Sequence, residues 1–450
     1  MTEKMKPSGI TWIGDVPVGW DVKRVKYVIQ NNADGIKVGP FGSALTNEVV
    51  SGEEGKYKIY GQANLIRKDF DYGDNFVTEE NYRRLINYEV LPDDIAVSMM
   101  GTIGKCSVVP HGIMPGIMDS HLIKIRLSNK MNPRYFEYIY ESCVVYEQLV
   151  VNSKGSIMNG LNSTIVKSVF LAVPSFDEQV AIADFLDAQC AKIDSVIADI
   201  EKQIETLQKY KKSLITEAVT KGLNPNVPMR KSKIEYVSSV PDHWEEKRLN
   251  IVAYVRARLG WRGLTADEYV DEGYAFLSAF NIVDDKLDLS EELLNYITKF
   301  RYDESPEIKL HSGDVLLVKD GAGLGKCARI DDLPFETAPN GSLAVITPNE
   351  QLHYRYLHYF FVGDVFQQRI NQIKNGMGVP HLPQGDLRKI VVPIPPMDEQ
   401  MAISDYLDEL CALVNPLLEA KEKQLQTMKQ HRKSLIYEYV TGKKEVPADV

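Results

Sequence analysis

DEQVAIADFLD (177–187) returns 221 residues later as DEQMAISDYLD (398–408), with eight of eleven residues identical. The same offset maps KKSLITEAVT (211–220) onto RKSLIYEYVT (432–441) and IGKC (103–106) onto LGKC (324–327). A repeat this long in a chain of 450 residues means a duplicated unit, each copy a domain followed by a helix. Two similar units give an internal pseudo-twofold, and duplex DNA is the leading ligand of matching symmetry.

From Leu186, apolar or small residues recur at alternating steps of four and three: Leu186, Cys190, Ile193, Ile197, Ile200, Ile204, Leu207, then Lys211, Leu214 and Ala218. The second copy reads Leu407, Cys411, Val414, Leu418, Lys421, Leu425, Met428, then Arg432, Leu435 and Tyr439. That spacing is a heptad seam on a long helix. Lys211 and Arg432 break it at the same place, either to fix register or to snorkel toward solvent. Ser175 with Glu178 forms an S-x-x-E capping box, and Asp177 adds charge to the first turn. Asp398 and Glu399 repeat the acidic turn without the serine. Gly222 and Gly442 mark the helix ends, and Asn415-Pro416 predicts a kink or restart in the second helix. A helix of about 45 residues is roughly 65–70 Å long. With only a short polar linker after it, the second helix should return antiparallel to the first.

Before each helix lie about 150 residues of mixed character. Both halves open alike, TWIGDVPVGWDVKRV (11–25) against EYVSSVPDHWEEKRL (235–249), with Trp20 and Trp244 as core anchors. Short β-rich runs follow, and each half then shows an aromatic-rich helical stretch, 132–149 and 353–370. The expected class is α+β: two similar α/β domains separated by two long antiparallel helices as a coiled-coil spacer. The boundaries are 1–174, first domain; 175–222, first helix; 223–235, linker; 236–395, second domain; 396–443, second helix; 444–450, tail.

Composition narrows the function. The chain is 44% hydrophobic and 25% charged, as in ordinary globular proteins. It has no apolar run of spanning length and no signal-like N-terminus, so a cytoplasmic location is expected. Five cysteines without a C-x-x-C pair fit reduced thiols, and no H-E-x-x-H motif occurs. The net charge of −10 disfavours a free-standing DNA binder. Residues 1–222 carry 25 basic against 28 acidic side chains, so that half is not basic either. Basic surface must be local, or partners must supply phosphate contacts.

Catalytic patterns are missing. GAGLGKC (321–327) and GTIGKC (101–106) depart from a phosphate loop at its first glycine and at its Ser/Thr, and read better as hairpin tips. No methyltransferase, hydrolase or nuclease motif was found, so the expectation is no catalysis, no metal and no cofactor in this chain. Base-reading candidates sit on loops that differ between halves. VGPFGSALT (38–46) offers Phe41 and Ser43, with Lys37 beside it, opposite Arg256, Arg258 and Arg262. Tyr60 and Gln62 form a second group; Gln62 has the amide for a bidentate adenine pair. Asn64 and Asn281, shared by both halves, read as structural. The glycine turns add Thr102 and Lys105, opposite Lys319 and Lys326. KGSIMNGLN (154–162) adds Ser156 and Asn159, opposite Met377 and His381. For each residue an ordinary surface loop is the competing reading.

The motifs WIGDVPVGW (12–20), GPFGS (39–43), GTIGKC, PSFDEQ (174–179) and PPMDEQ (395–400), with helices ending in K-S-L-I-x-E, together resemble the specificity subunit of type I restriction–modification systems. The resemblance implies two target recognition domains, each reading half of a bipartite, asymmetric double-stranded DNA site. It implies that the helices dock two methyltransferase subunits, with Asp177, Glu178, Gln179, Lys211, Asp398, Glu399, Gln400 and Arg432 assigned to the spacer and its subunit interface. Partner subunits would bind S-adenosylmethionine, ATP and magnesium, and restriction subunits would translocate and cleave. The competing expectations are a coiled-coil scaffold without DNA specificity, and an enzyme using the GAGLGK loop.

Overall fold

The computed structural model describes residues 4–32, 34–40, 45, 56–101, 103–153, 160–257, 264, 268–321, 323–373 and 380–447. The chain divides into two compact units, residues 1–200 with 424–450, and residues 201–423. Two long helices are shared between them. Phe176–Lys221 starts in the first unit and ends in the second; Met397–Val440 does the reverse. Each unit therefore holds one domain, the start of its own helix and the end of the other.

In the first unit an antiparallel sheet runs in the order Ile36–Val38, Leu122–Ile125, Ile95–Ser98, Cys106–Val108. A smaller sheet orders Phe76–Val77, Tyr57–Tyr60, Gly116–Met118, its last two strands parallel. The second unit repeats the larger sheet as Ala253–Arg256, Leu343–Pro348, Val315–Val318, Cys327–Arg329. It repeats the smaller one with a parallel pairing of Tyr274–Leu277 and Thr337–Pro339. The central strands Ile95–Ser98 and Val315–Val318 are buried at every residue because both sheet faces are covered. The aromatic stretches each split into two helices, Pro133–Glu141 with Cys143–Ser153 and Tyr354–Val362 with Asp364–Ile373.

The DEQ motif closes each unit from within. Gln179 is fully buried. Its Oε1 accepts from Asn132 N at 2.8 Å, and its Nε2 donates to the carbonyls of Lys130 and Pro174 at 3.1 Å each. Gln400 repeats this with His353 N at 2.8 Å and the carbonyls of Gln351 and Pro395 at 2.9 Å. The preceding glutamates take the anchoring tryptophans: Trp20 Nε1 donates to Glu178 at 2.9 Å and Trp244 Nε1 to Glu399 at 3.0 Å. Ser175 Oγ accepts from Glu178 N, the serine half of the expected capping box. Glu178, Gln179, Glu399 and Gln400 thus tie each spacer helix to its domain. Only Asp177 and Asp398 of the two motifs are exposed.

The other helix end enters the same knot. Tyr135 Oη faces the carbonyls of Ala172 at 2.9 Å and Val440 at 3.2 Å; Tyr356 Oη faces those of Pro393 at 3.0 Å and Val219 at 2.9 Å. Each buried hydroxyl thereby joins its domain to the last turn of the other helix. Gly442 and Gly222 end those turns at φ +70° and +77°. A Cβ on Gly442 would meet Pro17 at 2.3 Å, and one on Gly222 would meet Trp244 at 3.2 Å, so glycine is needed for conformation and for space.

Along both helices the heptad positions from Leu186 to Ala218 and from Leu407 to Tyr439 are buried or half-buried, as their spacing predicts. In the first unit the helix segments run antiparallel, with Phe185 against Tyr439 and Asp194 against Arg432. Arg432 Nε donates to Asp194 at 2.7 Å, so the seam cation has a fixed partner. Lys211, its counterpart in the second unit, lines a cleft beside Asn415, Asp284 and Asp285. The helix runs unbroken through Pro416, against expectation. Ala412, whose carbonyl loses its N–H donor, and Pro416 are both exposed, so solvent takes the lost bond at little cost. The segment expected as linker is also different: Met229–Lys231 pairs with Ser239–Pro241, repeating Met5–Pro7 with Asp15–Pro17.

One local contact distinguishes the units. In the second, Asp284 and Asp285 at φ +49° and +60° form a two-residue turn between Ile282–Val283 and Lys286–Leu287. The buried His358 donates from Nε2 to the Asp285 carbonyl at 2.9 Å, and its Nδ1 has no partner among the described residues. Burial pulls the His358 pKa down to about 4. In the first unit Glu137 holds the corresponding position and pairs with Lys68.

Gln179→Ala strands a buried N–H and two carbonyls, Gln400→Ala a partly buried N–H and two carbonyls, and each should cost about 1–3 kcal/mol. Asp177→Ala should cost under about 1 kcal/mol. Urea unfolding monitored by hydrogen exchange in each unit checks both. His358 binds its proton less readily when folded, so its stabilising effect is complete above pH 6.5 and falls away toward pH 4. At pH 5 the second unit should be weaker than at pH 8 by about 2 kcal/mol, and His358→Gln should lose that dependence. An unchanged pH profile in the variant would refute this origin.

Candidate nucleic-acid interface

Main-chain hydrogen bonds bring the separate loops to one corner of each domain. In the first unit Gly39 N donates to Leu122 O, Met99 N to His121 O and Leu161 N to Met99 O, at 2.8–2.9 Å. Gly39 is required there, because a Cβ would lie 1.8 Å from the Asp119 carbonyl oxygen. In the second unit Lys319 N donates to Ser342 O and Leu382 N to Lys319 O, both at 2.8 Å, and Gly321 N to Pro380 O at 3.0 Å. The glycine turns are hairpin tips, as expected, with Val97 opposite Cys106 and Leu317 opposite Cys327. Gly101, Gly104, Gly321 and Gly325 adopt positive φ in them.

The two corners carry different chemistry on this common frame. In the first, Gln62 opens the helix Gln62–Arg67. Its Nε2 lies 2.9 Å from Ser98 Oγ and 2.7 Å from Met100 O. A cleft of about 320 Å³ lies beside it, also lined by Asp119 and His121. Asp119 Oδ1 accepts from His121 N at 2.8 Å, and burial raises the pKa of this carboxyl. In the second corner Lys319 Nζ contacts Asp320 Oδ2 at 2.5 Å, and His381 Nδ1 bonds the other carboxylate oxygen. Methionine stands at 99 and 100 where the second domain has the charged pair.

Several expected contacts are turned inward. Tyr60 is 1% exposed, and its hydroxyl donates to Met114 O at 2.5 Å. Burial pushes its pKa up to about 12. It belongs to the core because it ends a strand whose alternate side chains face inward. Arg256 lies on a sheet strand, its Nη2 2.6 Å from the buried Asp314 and its Nε without a partner among the described residues. It does for Asp314 what Arg126 does for the buried Asp94 at 2.8 Å. Both residues are thereby structural. Lys37 is half-buried near Asp34 at 3.4 Å. Lys105 and Lys326 are exposed on the hairpins; Lys105 lies 3.6 Å from Glu141. Phe41, Ser43, Thr102, Ser156, Asn159, Arg258, Arg262 and Met377 lie outside the described residues. Asn64 and Asn281 have the expected structural role, each bonding three main-chain groups that fix the following loop.

The family model described as type I restriction modification DNA specificity domain matches twice, at residues 42–206 and 241–427. The chain belongs to this family. Its specificity-subunit relatives include the MjaVIII subunit of Methanocaldococcus jannaschii, 24% identical, covering 73% of this chain and 74% of that one. A putative MjaX specificity subunit of the same organism is 23% identical and covers 96% and 95%. The EcoBI specificity subunit of Escherichia coli is 24% identical and covers 73% and 69%. A solved chain from a study of complex assembly and conformational transition in the type I R-M system has the same fold, with TM-score 0.65, 15% identity, and 95% and 99% coverage. Among the described residues no helix is long and apolar enough to cross a membrane.

This specificity-family frame depends on residues the sequence reading passed over. Arg134 reaches Asp184 and Asp187 at 2.6 Å each, and Tyr138 donates to Asp187 at 2.7 Å. Arg355 with Asp405 and Asp408, and Tyr359 with Asp408, repeat the set. The 221-residue offset connects every pair and was the available signal.

Proposed function

We propose that this chain is the DNA sequence-recognition subunit of a type I restriction–modification complex, each domain reading one half of a bipartite asymmetric site. The observation that carries the reading is the contrast between corners: Gln62, Met99, Met100 and Asp119 in one, Lys319, Asp320 and His381 in the other, on repeated sheets and loops. Two words can be read only if the reading groups differ while their mounting stays the same. The long helices dock two methyltransferase subunits, whose equivalent faces match the repeat of the seam. Methylation with S-adenosylmethionine, and translocation and cleavage with ATP and magnesium, belong to the partner subunits. This chain contributes no catalytic group. The net charge of −10 fits that division, since the assembly supplies most phosphate contacts. Membership of a DNA specificity family removes the support for a DNA-free scaffold.

The complex of this chain with its methyltransferase should protect one asymmetric two-part sequence in footprinting, while the isolated chain should bind weakly. Lys326→Ala should weaken binding uniformly across sequences and lower the salt slope by about one. Salt-insensitive assembly without any footprint would contradict the proposal.

A further inference from the structure

The hydrogen bonds around Gln62 decide what it can read. Two of the groups near its amide nitrogen are carbonyls, Met100 O at 2.7 Å and His121 O at 3.5 Å, which only accept. The third, Ser98 Oγ at 2.9 Å, is fully buried and lies 3.4 Å from the Met100 carbonyl, to which it donates. The –NH2 end must therefore face inward, and its two hydrogens are used there. Oε1 makes no hydrogen bond among the described residues, and Gln62 is one of the residues that line the cleft. The Asp119 carboxylate lines the same cleft, 2.8 Å from where a Cβ on Gly61 would stand. Gln62 Oε1 and the Asp119 carboxylate are thus acceptors at this recess, with Asn75 and His121 also in its lining. A bidentate adenine pair needs a free amide donor beside the acceptor, and here that donor is spent.

We propose that Gln62 is a specificity residue of the first domain that accepts one hydrogen bond from an exocyclic amino group, adenine N6 or cytosine N4, on one strand of its half-site. Guanine and thymine present oxygen at that edge and are disfavoured by the acceptor. The inference rests on the DNA-reading proposal and narrows it. The second domain has Ala279 at the equivalent position and a Lys319–Asp320–His381 cluster at its corner, so it does not share this preference.

The test uses the full chain in complex with its methyltransferase, on the site defined by footprinting. Each adenine of the first half-site is replaced by purine lacking the 6-amino group, and each cytosine by 2-pyrimidinone lacking the 4-amino group. One replacement should weaken wild-type binding about 5- to 100-fold. Gln62→Ala should bind the parent duplex more weakly by a similar factor and be indifferent to that one replacement. If no amino deletion in the first half-site weakens the wild-type complex, the proposal is overturned whatever the variant does. It is also overturned if Gln62→Ala and every deletion act independently. A complex that protects no specific sequence overturns the DNA-reading proposal too, whereas a footprint without coupling sinks only the assignment of Gln62.

Discussion

The first turn of a long helix has unsatisfied N–H groups, and a domain packed beneath it has loose main-chain ends of its own. This protein satisfies the domain's ends with one buried side chain, Gln179 in one unit and Gln400 in the other. Around that amide the tryptophan–glutamate bond and the tyrosine hydroxyl bring the domain, its own helix and the end of the other helix to one point. Because the tyrosine reaches the other helix, neither unit is complete as a contiguous stretch of chain. The duplication is therefore built into the fold, and a single half lacks the helix end that its own tyrosine and tryptophan require.

The parts of this arrangement legible in the sequence are those expressed as period or repeat. The heptad seam, the hairpin tips with their glycines, the paired asparagines and the aromatic helices all declare themselves locally. The rest depends on partners distant in the chain. Arg256 looks like a loop cation until Asp314, 58 residues on, is placed beside it. Glu178 looks like a capping residue until Trp20, 158 residues earlier, claims it. Pro416 signals a break only if its face of the helix is packed, and it is exposed. At the proposed reading corners, composition names the residues but not which end of Gln62 faces out; that is set by two carbonyls no local pattern marks.

The frame and its contents obey different constraints. Residues that close the units recur in both halves because the same main-chain groups must be satisfied twice. Residues at the corners are free of that requirement and diverge, from methionines and an acceptor-lined cleft in one domain to a cation, a carboxylate and an imidazole in the other. Symmetry in the mounting and asymmetry in the reading groups follow from one duplication under two kinds of selection.

The central claim is that each domain reads its own half-site independently of the other. It is tested by replacing residues 12–174 with the equivalent domain of a relative whose site is known, and mapping methylated bases in cells carrying the chimera with its methyltransferase. The account predicts that one half of the site changes to the relative's and the other half stays as it was. A change in both halves, or in neither, would contradict it.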